Sequence, residues 1–200
     1  MQAMEGRVPA KIRESFEPIE FIYPANILSL IRLALVGPTV YYLLQEDGAH
    51  KALTVIVVGM ATDALDGPIA RHRNEVSELG KLIDPIADKL TLDGVAVALS
   101  MKHGFPWWVT NLLLARDIAI LLGATLIFRK STHITTSIYA GKVTTVLLTI
   151  VLLLYILDAQ PWARRMLNLM LIPFAISWVQ YGTRYLQWLR GEYDDTPSKK

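Results

Sequence analysis

Along the chain, long apolar runs alternate with short polar and charged breaks. Six runs stand out, at residues 26–44, 52–70, 79–101, 107–128, 140–157 and 166–189. An α-helix needs about 20 mostly apolar residues to cross roughly 30 Å of hydrocarbon, and each run is close to that length. The second and third contain Asp63, Asp66, Asp84, Asp88, Lys89 and Asp93, but their other positions are apolar and the linkers around them short and polar. The pattern predicts an all-α chain, an integral membrane bundle of six transmembrane helices, forming one domain over residues 1–200. Residues 8–22 mix charges with Ile and Phe ahead of Pro24. They read either as a short interfacial helix within an N-terminal segment, 1–25, or as a loosely ordered tail. Residues 193–200 read as a flexible tail.

Composition strengthens the membrane reading. Hydrophobic residues make up 52% of the chain and charged residues 19%, against about 25% charged in soluble domains. There are no cysteines, which excludes disulfides and thiolate metal sites. A net charge of +2 gives no argument for nucleic acid as a partner. Residues 1–20 lack the apolar core of a cleavable signal peptide, so the first span is expected to stay in the membrane. With both termini cytoplasmic, the inner segments hold eleven basic residues and the outer loops four (Lys51, Lys102, Arg164 and Arg165). That bias sets the orientation and puts the linker after Arg71 on the cytoplasmic side. Trp107, Trp108 and Trp162 then fall at the outer edges of spans, where indole rings favour the interface.

The chemistry-bearing stretch runs from Asp63-Ala-Leu-Asp66-Gly67-Pro-Ile-Ala70-Arg71 to Gly80-Lys-Leu-Ile-Asp84-Pro-Ile-Ala-Asp88. Asp63 and Asp66 are three apart, Asp84 and Asp88 four apart, so each pair shares a helix face. The short linker makes the two helices antiparallel neighbours and lets all four carboxylates converge near their cytoplasmic end. Such a cluster cannot stay ionised in a poorly solvated place without compensation. Divalent metal supplies it, and all-oxygen ligation suits Mg²⁺, Mn²⁺ or Ca²⁺. Two ions bridged by carboxylates would serve a phosphoryl displacement. Gly67, Ala70 and Gly80 keep the backbone open to a flat ring or diphosphate. Arg71 could hold a phosphate bidentately, and Ser77 could donate to one or cap the third span. Taken singly, Gly67 and Ala70 would read as helix packing and Arg71 as a membrane anchor. Two isolated aspartates in a span would read as an ion pathway. All eight positions together favour catalysis.

At these residues the chain resembles the CDP-alcohol phosphotransferases, also called CDP-alcohol phosphatidyltransferases. Their signature D-x2-D-G-x2-A-R-x8-G-x3-D-x3-D is matched at every fixed position from Asp63 through Asp88. The resemblance implies a six-span homodimer with a polar cavity open to the cytoplasm. It implies that Asp63, Asp66, Asp84 and Asp88 bind metal, expected as two Mg²⁺ or Mn²⁺ ions, and that Asp88 is also the base. The CDP part of the donor would lie across Asp66, Gly67, Ala70, Arg71, Ser77 and Gly80. Asn26 and Arg32, in a segment similar to the P-N-x-L-T-x-x-R opening of one subgroup, would join that donor side.

The Asp84-Pro-Ile-Ala-Asp88-Lys89 segment resembles the D-P-x-A-D-K variant of phosphatidylglycerophosphate synthases and of cardiolipin synthases of this fold. Ala115-Arg116-Asp117 and Gly141-Lys142-Val-Thr-Thr145 resemble the A-R-E and G-K-x-K-T segments of the former, with Asp117 for Glu and Thr144 for a second Lys. Arg116 and Lys142 are therefore candidates to bind an anionic acceptor, with membrane anchoring or an ion pair with Asp117 as the alternatives. The expected activity is transfer of a phosphatidyl group from CDP-diacylglycerol, embedded in membrane lipid, to glycerol 3-phosphate. The rivals are transfer to phosphatidylglycerol and, from another class, divalent-cation transport.

Overall fold

The computed structural model of the chain describes residues 24–73, 78–128 and 139–189, with side chains described for all of these except 24–25, 63–73, 78–85, 122–128, 184–185 and 188–189. Among the described residues every regular element is an α-helix: α1 (Pro24–Leu43), α2 (Ala49–Arg73), α3 (Glu78–Lys102), α4 (Trp107–Phe128), α5 (Tyr139–Ile156) and α6 (Gln160–Leu189). Each apolar run became one helix. The largest boundary difference is in α6, which starts six residues before its apolar run. Arg164 and Arg165 interrupt the hydropathy there but not the helix, whose first turn is favoured by Pro161. The expected interfacial segment at 8–22 and the tail at 193–200 lie outside the described residues.

The described residues fall into two compact units, divided between Val95 and Ala96. In the first, α1 packs along α2. The connection between them turns tightly at Gly48, where a Cβ would meet the Tyr42 carbonyl oxygen at 1.8 Å, so only glycine fits. The first part of α3 also reaches α1: a Cβ on Gly94 would lie 3.1 Å from Val36 Cγ1 and 3.4 Å from Val40 Cγ2. Small residues at such points let helices approach without hydrophobic driving force.

In the second unit α6 packs on α5 and touches α4. The end of α3 is tied to α4 by a buried hydrogen bond between the Ser100 and Thr110 hydroxyls, 2.7 Å apart. Gly104, at φ 69°, turns the chain between these helices. The next residue, Phe105, is buried with its ring edge-on to Tyr155 of α5, centroids 5.0 Å apart. This contact brings the 103–106 connection beside the end of α5. Exposed Trp107, Trp108 and Trp162 stand at the first turns of α4 and α6, with the Arg165 guanidinium 5.1 Å over the Trp162 ring.

Polarity is arranged in reverse of a water-soluble bundle. On α1, Asn26, Ser29, Arg32 and Thr39 are buried while Ile27, Leu30, Ile31 and Tyr41 are exposed. On α4, Thr110, Arg116 and Asp117 are buried while Leu112, Ile118 and Leu121 face outward. The same holds for Thr144 against Val146 and Ile150 on α5, and for Ser177 against Ile172, Ile176 and Val179 on α6. Water would drive the apolar faces inward; a hydrocarbon solvent leaves them outside and turns polar groups to the interior. Among the described residues, two helical stretches, Asn26–Leu43 and Tyr139–Ile156, are long and apolar enough to cross a membrane by length and composition.

α5 ends in a Schellman motif. The Ala159 amide donates to the Leu154 carbonyl at 2.9 Å and the Asp158 amide to Tyr155 at 3.2 Å. Asp158 occupies the left-handed position, φ 52°, usually held by glycine. Asp158→Gly is expected to be neutral or mildly stabilising, whereas Asp158→Val should cost about 1–2 kcal/mol because a β-branched side chain is strained at positive φ. Thermal unfolding of the two variants in detergent checks this ordering.

Candidate active site

The aspartate motif is divided between two consecutive helices. Asp63, Asp66, Gly67, Ala70 and Arg71 lie in the last three turns of α2, and Gly80, Asp84 and Asp88 in the first three turns of α3. Only residues 74–77 separate the helices, and Ser77 among them lies outside the described residues. Asp63 is ten residues before the end of α2 and Asp88 ten residues after the start of α3. At 1.5 Å per residue each is about 15 Å from the connection.

The described side chains add an interaction that runs through all three helices of the first unit. Arg32 of α1 is 4% exposed, and its Nη1 donates to Asp88 Oδ1 of α3. Its aliphatic stem lies over α2, where a Cβ on Gly59 would stand 4.0 Å from Arg32 Cγ. Gly59 is one helical turn before Asp63. A single arginine therefore reaches from α2, one turn short of the first aspartate of the motif, to the last aspartate on α3. Asp88 keeps 48% of its side chain exposed, so it is accessible as well as paired. Asn26 and Ser29 are buried on α1, within two turns of Arg32.

The donor set is chemically uniform. Asp63, Asp66, Asp84 and Asp88 offer carboxylate oxygen alone, the ligand type that hard divalent cations prefer and that softer metals do not require. These residues fit Mg²⁺ or Mn²⁺ in donor chemistry.

The two acceptor candidates belong to the second unit. Arg116 of α4 is buried, its Nε donating to Asp117 Oδ1 at 2.8 Å and its guanidinium carbon 5.5 Å from the centre of the Phe174 ring on α6. The ion pair with Asp117 suggested by the sequence is thus present. Phe174 beneath the guanidinium was not foreseen, because a phenylalanine in an apolar helix carries no local signal. Lys142, in the first turn of α5, is exposed; beside it Gly141 faces the Tyr181 hydroxyl of α6, 3.5 Å from where a Cβ would stand. Thr144, where a second lysine was missed, is fully buried and donates to the Ala140 carbonyl at 2.8 Å. No described contact joins Arg116 to Lys142. The Arg32–Asp88 pair also went unforeseen, because nothing local in either segment names its partner 56 positions away.

Comparison with known proteins identifies the family. The family model described as CDP-alcohol phosphatidyltransferase matches residues 22–183. The chain is similar to a probable phosphatidylglycerophosphate synthase of Mycobacterium tuberculosis, 32% identical over 138 residues that cover 66% of this chain and 65% of that protein. It is similar to the CDP-diacylglycerol–glycerol-3-phosphate 3-phosphatidyltransferase of Aquifex aeolicus, 31% identical over 166 residues that cover 78% of this chain and 92% of that protein. It is also similar to a CMP-forming cardiolipin synthase of Streptomyces coelicolor, 39% identical over 104 residues covering 48% and 47% of the two chains. The chain thus matches about two-thirds of the mycobacterial synthase's length, 65%, and about half of the Streptomyces enzyme's, 47%. With its family model matched over most of its length and every fixed position of the aspartate motif present, the chain belongs to the CDP-alcohol phosphatidyltransferase family.

Proposed function

We propose that this chain is a multi-pass membrane enzyme that moves the phosphatidyl group of CDP-diacylglycerol onto glycerol 3-phosphate and releases CMP. The observation that carries this reading is the reach of Arg32 from Gly59, one turn before Asp63, to Asp88. It supports bringing the two halves of the aspartate motif to one level of the bundle. The reversed polarity of the helices supports the membrane setting, and the basic residues of the cytoplasmic segments support an inward-facing site. The protein works as a homodimer in this reading, as its family resemblance implies.

In the proposed reaction Asp63, Asp66, Asp84 and Asp88 hold divalent metal. Mg²⁺ or Mn²⁺ held by these carboxylates would neutralise the diphosphate and the charge that develops on the departing phosphate. Gly67, Ala70 and Gly80 admit the CDP moiety close to the backbone, and Arg71 and Ser77 take its phosphates, with Asn26 on the same side. Asp88 accepts the proton of the acceptor hydroxyl, which is otherwise a weak nucleophile at neutral pH. The acceptor oxygen bonds to the β-phosphorus as that atom's bond to the bridging oxygen breaks, and CMP leaves with that oxygen. Arg116 and Lys142 bind the acceptor's phosphate. Arg116 suits this role because Asp117 and Phe174 already fix its orientation.

A second reading, with phosphatidylglycerol as acceptor, is favoured by Asp117 in place of glutamate and by the similarity to the Streptomyces cardiolipin synthase. Purified protein in detergent with CDP-diacylglycerol and Mn²⁺ is expected to release CMP when glycerol 3-phosphate is added. Release with phosphatidylglycerol alone would establish the second reading. No release with any acceptor, together with metal flux in liposomes, would overturn both in favour of transport. Chelation with EDTA should abolish CMP release, and added Mn²⁺ should restore it. Asp88→Asn should lower kcat by about 10²–10⁴-fold, the usual contribution of a positioned base, while CDP binding measured by calorimetry persists. Loss of CDP binding to the same extent would make Asp88 mainly a ligand. Because the variant also strips the buried Arg32 of an anion, its melting temperature should be read in parallel.

A further inference from the structure

In the reaction proposed above, cations of the second unit hold the acceptor's phosphate, but the acceptor's spare hydroxyl has no partner. One face of α6 carries groups suited to it. Phe174 lies beneath the Arg116 guanidinium of α4. Seven residues later, Tyr181 sets its hydroxyl against Gly141 in the first turn of α5, 3.5 Å from where a Cβ would stand. Trp178 comes four residues after Phe174 and three before Tyr181, so the three rings share one stripe of the helix. At 1.5 Å per residue the stripe rises about 10 Å from Phe174 to Tyr181.

The polar atoms along this stripe lack partners. Arg116 is buried and uses Nε on Asp117 Oδ1; its two terminal nitrogens meet no hydrogen-bond acceptor among the described residues. The indole nitrogen of Trp178 is buried and has no hydrogen-bond partner. The Tyr181 hydroxyl makes no hydrogen bond among the described residues. Serine and threonine hydroxyls inside the same unit are satisfied: Ser100 with Thr110, Thr144 and Ser177 with carbonyls of their own helices. Away from water, donors without acceptors are costly. A ligand rich in oxygen, inserted along the stripe, would satisfy them.

We propose that Tyr181 recognises the acceptor's non-reacting hydroxyl, so that α6 reads the polyol while Arg116 and Lys142 hold its phosphate. The inference rests on the function proposed above. The chemistry recognised is a glyceryl phosphate, either free or as a lipid headgroup, through its C2 hydroxyl. Lys142 follows Gly141 in sequence, so its side chain leaves α5 from the turn that Tyr181 touches. Charge and hydroxyl recognition therefore meet at one level of the unit. The two cations attract any phosphate ester and cannot tell one from another by its hydroxyls. A neutral hydroxyl can, because a site built to hydrogen-bond a substrate hydroxyl rejects the analogue lacking it.

The test pairs a variant with an acceptor analogue, in detergent with CDP-diacylglycerol and Mn²⁺. 3-Hydroxypropyl phosphate keeps the reacting primary hydroxyl of glycerol 3-phosphate and lacks only the one at C2. The wild-type protein should prefer glycerol 3-phosphate by about tenfold or more in kcat/KM for CMP release. Tyr181→Phe should lose about tenfold toward glycerol 3-phosphate, through acceptor KM, with donor KM unchanged. Toward the analogue it should match wild type, so that the preference collapses. Its melting temperature should also match, since the deleted hydroxyl bonds no described residue.

A preference that persists in Tyr181→Phe would overturn the proposal, as would a wild-type protein that shows none. Equal losses toward both acceptors would overturn it too, because that is what a merely structural tyrosine gives. If CMP is released with phosphatidylglycerol alone, the same comparison between phosphatidylglycerol and phosphatidylpropanediol decides by the same outcomes and assigns the site to a lipid headgroup. Absence of CMP release with every acceptor would overturn the proposed function instead. Calorimetric binding of glycerol 3-phosphate and its analogue to the two proteins would then still decide the role of Tyr181: a difference between the ligands that vanishes in Tyr181→Phe supports it, and one that persists or never existed overturns it.

Discussion

A guanidinium buried among helices is tolerated only with an anion against it, and in this chain that requirement organises the first unit. Arg32 cannot leave α1, is 4% exposed, and finds Asp88 on α3. To get there it passes over Gly59 on α2, where a Cβ would stand 4.0 Å from the arginine stem, an ordinary packing distance. The position of α3 along α1 is set a second time, further along the helix, by Gly94 against Val36 and Val40. One contact is electrostatic and the other steric, and they lie more than one helical turn apart on α3. Together they specify register as well as proximity, which a single contact would leave open to sliding.

The second unit meets the same solvent with different means. Its interior polar groups are paired locally: Ser100 with Thr110, Arg116 with Asp117, Thr144 and Ser177 with carbonyls of their own helices. Hydroxyls satisfied within one helix cost little and specify little. Those shared between helices tie neighbours together in a solvent that offers no hydrophobic drive for association. Phe105 against Tyr155 does the corresponding work at the end of the unit, where the chain turns. The exposed apolar residues on the outer faces are then not a liability but the surface that hydrocarbon wets.

Much of this was legible in the sequence, and the part that was not has a common cause. Helix number and approximate limits follow from apolar runs because a membrane solvent imposes length directly. The aspartate motif is local, with fixed spacings on two consecutive helices, so its residues could be named without tertiary information. What escaped was pairing across distance. Arg32 was placed on the donor side because its segment resembled a family opening; its contact with Asp88 is an additional one that depends on how α1 crosses α3. The start of α6 escaped for a different reason: hydropathy marks where a helix enters hydrocarbon, whereas backbone hydrogen bonds carry this one through Arg164 and Arg165 back to Gln160.

The division of candidate residues between the units bears on why the acceptor is harder to read than the reaction. The carboxylates and the groups assigned to the donor, from Asn26 to Asp88, belong to the first unit, and Arg116 and Lys142 to the second. The reaction's demands are stringent: hard-oxygen ligands, a base and small residues beside a diphosphate, each of which restricts residue type at a fixed spacing. Recognition of an anionic acceptor asks only for a cation of suitable reach, and many positions can provide one. As the proposed acceptor ligand, Arg116 would meet the demand in the more selective way, since Asp117 and Phe174 hold its guanidinium before any ligand arrives and little rotamer freedom remains to be lost. Lys142 is exposed and keeps that freedom. Under the proposed function, discrimination between a small phosphate ester and a lipid headgroup would therefore rest more on how the Arg116 cluster is shaped than on the presence of positive charge, and substitutions at Asp117 or Phe174 would alter it without touching the carboxylates proposed to carry out the transfer.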